Sequence, residues 1–297
     1  MRIKNLLILT VLLGALSCVS INDGGNKITA SDTHKTQSIE LLDSFIGIEA
    51  SSGIDVLYTQ SSEGVAVEVY APENIAELIG VEVKGGMLKV DYTRPVNITK
   101  NEDSKIEVRV SAPALSEFHA SSSSDIKLIG GINTTGNLKF RVKSSGEIKG
   151  EIIECQELDA DATSSGDLSL DKVVCNKASL VASASGEIEI EGLNCSEFSA
   201  HASSSGEINV EQLYCNSATI QVTSAGEIEL SGECQTADIK AYSSGNIKAY
   251  NFDVQKAKVD AKSAGEIRCS ISQELTSDRN SMSSIRYKGQ PNRIFTD

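Results

Sequence analysis

Ser183–Val210 reads SASGEIEIEGLNCSEFSAHASSSGEINV, and the same phrase occurs in it twice, as ASGEIEI and as SSGEINV, twenty residues apart. Working outward from these two copies, Gly146, Gly166, Gly186, Gly206, Gly226, Gly245 and Gly265 follow one another at intervals of 20, 20, 20, 20, 19 and 20 residues. Weaker copies flank them, with Ser124 and Ser283 in the glycine place. Such a period marks a repeat architecture. Within a copy the apolar residues alternate, as half-buried strands require. Leu158, Ala160 and Ala162, or Phe198, Ala200 and Ala202, precede the glycine, and Ile188 with Ile190, or Ile208 with Val210, follow it. A second corner follows in EGLNC and VEQLYC, where Leu193 and Leu213 turn inward.

Twenty residues leave no room for a crossover helix. The pattern therefore predicts an all-β fold, a right-handed parallel β-helix (β-solenoid) with about 20 residues per coil. Each coil buries its inner face only by stacking on its neighbours, about 4.8 Å away. Nine coils give a rod roughly 43 Å long by that spacing. An antiparallel meander shares the alternation but does not place identical residues at every turn.

Composition agrees: no Trp, 4% aromatics, 4 Pro and 23 Gly, with many small and β-branched residues suited to tight strands. The net charge of −14 and the lack of a basic patch argue against nucleic acid as a partner.

Residues 1–17 read as a signal peptide: Arg2 and Lys4, then an apolar run from Leu6 to Leu16 too short to span a bilayer. ALSC, ending at Cys18, is similar to the lipobox of bacterial lipoproteins and makes Cys18 the expected lipid anchor. Residues 18–37 are polar and aperiodic, which predicts a flexible tether. No second hydrophobic run follows, so the expected membrane contact is through the anchor alone.

Residues 38–118 predict an N-terminal β-rich module capping the solenoid of residues 119–297. Phe45–Gln60, Val65–Tyr70, Val81–Tyr92 and Lys105–Ser111 alternate as strands, with Gly85-Gly86 as a hairpin turn. PENIAELIG, with Pro72 early and Gly80 at its end, predicts a short helix. SSGI at Ser51–Ile54 is a degenerate copy of the repeat phrase, and Tyr287 and Pro291 mark an expected C-terminal cap.

The lipobox-like signal, GIDVLYTQ, VEVKGGMLKV, the ladder of SSGEI turns and the closing SSIRYKGQP together resemble the putative auto-transporter adhesin, head GIN domain family, a domain of unknown function common in Bacteroidetes. The resemblance covers roughly residues 40 to 290. It implies an exported β-helical protein, and the family brings no catalytic residues to carry over.

Stacking converts the repeat into columns. Cys155, Cys175, Cys195, Cys215 and Cys234 each lie eleven residues before a glycine. They read as a ladder of small buried hydrophobes, with one or two neighbouring disulfides compatible with an oxidising compartment. Zinc is disfavoured, because there is no CxxC spacing and no His alongside. After the glycine stand Asp125, Glu147, Asp167, Glu187, Glu207, Glu227 and Glu266, with Asn246 between the last two. Stacked like charges repel by about 1 kcal/mol per pair even in water, so this ladder must be solvated, splayed or neutralised. Its oxygen-only ligands would suit weak Ca²⁺, although calcium-binding nonapeptide solenoids repeat every nine residues. No other cofactor or metal is expected.

Alternation predicts that the first Ser before each glycine faces inward and bonds the next coil, and that the glycine itself supplies the turn's positive φ. These serines are interchangeable and lack a base, which speaks against a nucleophile. His34, His119 and His201 read as surface residues. Ser199, His201, Ser203, Thr219, Gln221 and Thr223 form one mild polar outward face.

Parallel β-helices also serve as polysaccharide lyases and hydrolases, which is the alternative reading. Such enzymes wall a cleft with inserted loops and use aromatic platforms, and here no insertion interrupts Gly146 to Gly265. The expectation is a non-enzymatic, lipid-anchored outer-membrane protein of a Gram-negative cell envelope. It would present its faces to a surface protein or glycan and could oligomerise.

Overall fold

The computed structural model describes residues 27–296 apart from 42, 102–103 and 281; the predicted signal peptide and Cys18 lie outside them. Among the described residues no helix is long and apolar enough to cross a membrane. The chain forms a β-solenoid of about nine turns with roughly 20-residue spacing, preceded by a β-rich region.

One coil explains the rest. Along Gln156–Val174 the outward side chains alternate with buried ones except at three places where two or three successive residues face out: Gln156-Glu157, Thr163-Ser164-Ser165 and Asp171-Lys172. These are the corners of a three-sided coil. The first face is Glu157–Thr163; the second and third are the two halves of Asp167–Val174, bent at Asp171-Lys172. Successive coils pair in parallel with a shift of one repeat, as in Leu158↔Ala178↔Phe198↔Ala218 and Leu168↔Ile188↔Ile208.

The core of the first face is filled by compensation. In successive coils the inward pairs are Leu158/Ala160, Ala178/Leu180, Phe198/Ala200 and Ala218/Ile220, all buried. Each coil supplies one large and one small side chain, and their order alternates or shifts so that bulk in one coil meets a small residue in the next. Such interdigitation is what close packing demands. Towards the N-terminus bulk rises: Tyr58 meets Phe118 edge to face and Phe118 meets Phe140 at a tilt, with centroids 5.0 and 5.8 Å apart. The Tyr58 hydroxyl donates to the Pro113 carbonyl at 2.8 Å, and burial pushes its pKa up to about 12.

The turn works differently from the sequence expectation. Gly146 N–H closes it on Lys143 O at 3.0 Å, and the two residues between, Ser144 and Ser145, carry φ of 53° and 59°. Both are exposed, so neither is the inward hydroxyl that alternation suggested. The same pair of left-handed residues recurs through Ser263 and Ala264, the pattern of a type I′ turn. The glycines of the repeat are needed for proximity instead. A Cβ on Gly186 would stand 2.2 Å from Ala162 O and 2.3 Å from Ala162 C, in the backbone of the preceding coil. In return the glycine carbonyls accept from the residue after the glycine in the next coil, mostly an acid, as in Glu187 N–H to Gly166 O at 2.9 Å. The expected positive φ at the glycine column is therefore corrected: the Ser/Ala pair carries it.

The N-terminal region comprises β1 (Lys27–Thr29), β2 (His34–Ser38), β3 (Gly47–Ala50), β4 (Asp55–Gln60), β5 (Ala66–Pro72), α1 (Glu73–Ala76), β6 (Ile79–Lys84), β7 (Met87–Tyr92), β8 (Asn97–Thr99) and β9 (Glu107–Ala112). It covers the end of the stack and also contributes two coils to it. β3 and β4 pair in parallel with Glu117–Ser121 and Asp125–Ile129, while β7 and β9 pair in parallel on their other side. The stack is therefore continuous across residue 118. Antiparallel strands close the far edge, β6 on β7 and β5 on β9, with β2 on β5, which protects an edge that would otherwise invite pairing.

Three local expectations change. The predicted tether is folded from Lys27 on, since β1 pairs with β8 and β2 with β5; His34 stacks on Tyr70. The helix is one turn, and Ile79 already opens β6, with Gly80 inside it. In the SSGI phrase, Val56 pairs with Ile126, so Ile54 stands beside Ser124 and Gly53 falls in the second left-handed place, with φ 70°. The hairpin at Gly85-Gly86 stands as expected, with φ of 63° and 80°. At the other end Ser284–Lys288 and Arg293–Thr296 add a further coil on Glu266–Arg279.

Candidate functional site

The outward columns are set by register. On the first face Ser199 pairs with Thr219 and His201 with Gln221, and Ser203 and Thr223 follow at the turn end. All six predicted residues therefore share one surface. The preceding coil extends it with Ser179, Val181 and Ser183. This block has no formal charge, unlike its surroundings. On one side Arg141 bonds Asp159 at 2.8 Å and approaches Asp161 at 3.8 Å; on the other Lys240 bonds Asp238 at 2.7 Å. Strand geometry makes the block about 13 Å along the strands and about 10 Å across the coils, between outermost Cα atoms.

The acidic ladder runs at the turn corner and is longer than the sequence suggested, because Asp55 and Glu107 join it below Asp125. Four of its rungs are paired with a cation: Glu107 with Arg109, Glu147 with Lys149 at 2.7 Å, Glu227 with Lys248 and Glu266 with Arg268 at 2.8 Å. In the middle, Asp167, Glu187 and Glu207 follow one another with Ser169, Glu189 and Asn209 two residues on. Partial burial, and then the neighbouring carboxylates, raise Asp167 and Glu187 above the usual carboxylate range. Among the described residues no three His, Cys, Asp or Glu side chains converge as a metal site. The rows are parallel, and Ca²⁺ needs six to eight oxygens around one point.

Two surface grooves lie where the repeat loses register, a feature the outward columns alone did not show. One, about 760 Å³, is lined by Cys195, Tyr214, Cys215, Glu233, Cys234 and Asp253 among others. The other, about 540 Å³, is lined by Glu211, Glu229, Lys248, Tyr250 and Arg268 among others. Pairing shifts at Val210/Leu213, Glu229/Ser231 and Ala249/Asp253. The sequence carries the signal as two short intervals, 19 residues between Gly226 and Gly245, which matches the first two shifts, and 18 between Gly265 and Ser283, which matches the third. His119 lies on the first face nearer the N-terminus; burial lowers its pKa, and Glu117 and Glu49 act against that.

The cysteine column is partly buried as expected: Cys195, Cys215 and Cys234 are buried, while Cys155 and Cys175 are intermediate.

A family model described as "Putative auto-transporter adhesin, head GIN domain" matches residues 44–212 and again 174–291. The chain belongs to this family. The two matches overlap by about two coils, as a repeat in register permits. The fold of this GIN-domain chain is also that of a solved structure, described as a putative adhesin from Parabacteroides merdae. That structure is 17% identical with a TM-score of 0.62, and the match covers 92% of this chain and all of the other. A putative adhesin from Parabacteroides distasonis is 16% identical with a TM-score of 0.46, covering 92% of this chain and 98% of that one. No curated protein matches the chain at a significant level.

Proposed function

We propose that this GIN-domain protein is exported, held at the outer membrane through a lipid on Cys18, and works without catalysis as a contact surface for a protein or glycan. The observation that carries this reading is the uncharged block of Ser179, Val181, Ser183, Ser199, His201, Ser203, Thr219, Gln221 and Thr223 on a chain of net charge −14. Isolated polar residues are ordinary on a solenoid. A three-by-three array of side chains without formal charge, most of them Ser or Thr, framed by ion pairs, is a distinct surface that a partner can approach without desolvating charge. The family's adhesin description supports the same reading. So does the repeat, which admits no inserted loop between Gly146 and Gly265 to wall a catalytic cleft.

The test has two arms. Purified protein is applied to a glycan array and to surface proteins, and a depolymerisation assay runs on every glycan bound. Binding without cleavage, lost on His201→Glu with Gln221→Glu, is the expected result. Chain cleavage abolished by one acid-to-amide substitution would overturn it. Protease added to intact cells should remove the protein, and processing that leaves Cys18 unlipidated would refute the anchor.

A further inference from the structure

The cysteine column does more than fill space. Cys215 and Cys234 are register partners in adjacent parallel strands, and their Sγ atoms are 3.1 Å apart. Two thiols packed as ordinary hydrophobes have no need of so close an approach. Cys155 and Cys175 stand in the same register relation three coils earlier, because Glu154 pairs with Val174 and Glu157 with Lys177 on either side of them. Neighbouring strands place Cα atoms about 4.8 Å apart, inside the range a disulfide spans. Cys195 sits between the two pairs and is buried. Cys269 belongs to a different column, opposite Ala249.

We infer that Cys215–Cys234 and Cys155–Cys175 are two coil-to-coil disulfide sites, with Cys195 and Cys269 remaining thiols. The groove of about 760 Å³ is lined by Cys195, Cys215 and Cys234 alike, so a small oxidant reaches that end of the column, and the close sulfur contact rather than access sets Cys215 and Cys234 apart; Cys155 and Cys175 are themselves partly exposed. Within each pair the hydrogen bond from the partner thiol lowers one member, Cys234 from Cys215 and Cys175 from Cys155. That member is the nucleophile. Burial pushes Cys195 up to about 12, so it is a poor attacking group in thiol–disulfide exchange.

The oxidant is of the disulfide class, a disulfide-bearing oxidoreductase in the envelope or oxidised glutathione in the tube. The Cys234 thiolate attacks one of the oxidant's sulfurs and expels the other as a thiolate, giving a mixed disulfide. Cys215 then loses its proton and attacks Cys234 Sγ, releasing the oxidant's second sulfur as a thiolate. The two protein thiols lose two protons and two electrons, and the oxidant's disulfide gains both. The location gives the bond a purpose. Cys215–Cys234 spans the coils between which the 19-residue interval falls and the ladder slips at Val210/Leu213, so it staples the stack where backbone pairing is interrupted.

Purified folded protein, treated with oxidised glutathione, is denatured, alkylated without reduction and cleaved after glutamate. Cuts at Glu154, Glu157, Glu191, Glu197, Glu211, Glu227 and Glu233 put each ladder cysteine on its own peptide. The expected result is two linked peptide pairs, 155 with 175 and 215 with 234, each short of two hydrogens, with Cys195 and Cys269 alkylated. Cys195→Ser should leave both links intact, and Cys234→Ser should lose the 215–234 link alone. Alkylation of all the ladder cysteines after oxidation, or a dominant link through Cys195, would overturn the assignment. The test uses purified protein, so its failure would leave the proposed export untouched.

Discussion

Replacing Gly186 with alanine separates two explanations of the repeat's most regular residue. If glycine were there for its dihedral freedom, alanine would cost about 1–2 kcal/mol of left-handed strain. The structure gives a different and larger cost. The new Cβ would lie 2.2 Å from Ala162 O, where ordinary contact begins at 3.4 Å, and the atoms in the way are backbone, which no rotamer change can move aside. Opening the gap between coils by about 1.2 Å stretches the Glu187 N–H to Gly166 O bond from 2.9 Å to beyond hydrogen-bonding range. Overpacking costs about 1–3 kcal/mol and each interrupted backbone bond about 1 kcal/mol, so a loss of about 3 kcal/mol or more is expected.

Two companions make the result decisive. At Gly192 the nearest atom to a new Cβ is Asp171 O at 3.7 Å, and alanine there should change stability by less than about 0.5 kcal/mol. At Ser185, with φ of 63°, glycine relieves strain but adds unfolded-state entropy, and the net is about zero to 1 kcal/mol of stabilisation. Guanidinium unfolding followed by circular dichroism gives the differences. Amide exchange across residues 158–208 reports local opening, which a stack of nearest-neighbour coils permits. A Gly186→Ala cost below about 1 kcal/mol, or an equal cost at Gly192, would refute the close-approach argument.

The compensated core predicts that Leu180→Ala costs about 2–5 kcal/mol through its cavity, and that Ala178→Leu in the same coil restores part of this; denaturant midpoints of the single and double variants decide. Ser124, in the glycine place of the first repeat copy, is buried and its Oγ accepts the Ile54 N–H at 3.1 Å. Ser124→Ala therefore leaves a buried donor unpaired, at about 1–3 kcal/mol, measurable by thermal unfolding. In the middle of the acidic ladder, Glu187→Gln should stabilise by a few tenths to about 1 kcal/mol, since it removes repulsion that is largely screened. The raised Glu187 pKa also fixes the sign of its pH dependence. As pH falls from neutral, the folded chain binds this proton before the unfolded chain does, so wild-type stability gains on the variant between the raised folded value and the ordinary value of 4.5. A gap that widened on acidification would contradict the assignment.

The coil was legible because its period comes from burial: every second residue must face in, and a twenty-residue return puts like residues in register. The turn was misread because a glycine beside a serine pair draws attention to the glycine. Yet the hydrogen bond from Gly146 N to Lys143 O places Ser144 and Ser145 at its centre. Small residues at both places were the available clue. Aligning SSGI by its glycine carried the error to Gly53, where register puts Ile54 in the glycine place. β1 and β2 were hidden for another reason. Their side chains are mostly exposed, so no apolar alternation records strands held chiefly by backbone pairing and by a few contacts such as His34 on Tyr70. The same holds for the order of the stack, since nothing local in β7 and β9 says that they slide beneath β3 and β4. The outward face was readable from spacing, whereas the grooves depended on where register slips.

Charge distinguishes the two surfaces left for recognition. The grooves carry Glu211, Glu229, Lys248 and Arg268, or Glu233 and Asp253, and a partner seated there would form and lose ion pairs. Its affinity would fall as salt shortens the screening length to about 8 Å at physiological strength. The proposed contact on Ser199, His201, Ser203, Thr219, Gln221 and Thr223 has no such term. Its short Ser and Thr side chains lose little rotamer entropy on being held, so modest contacts add from coil to coil. Binding through this block should change less than about threefold between 50 and 300 mM salt, as expected where no counterion is released. His201→Glu and Gln221→Glu should each weaken it about tenfold or more by burying a carboxylate against the partner, a cost of over 1 kcal/mol. Their stability should stay within about 0.5 kcal/mol of wild type, because both side chains face outward. Steep salt dependence, unaffected by these substitutions but abolished by Tyr250→Ala or Lys248→Ala, would move the contact to the groove and refute the face.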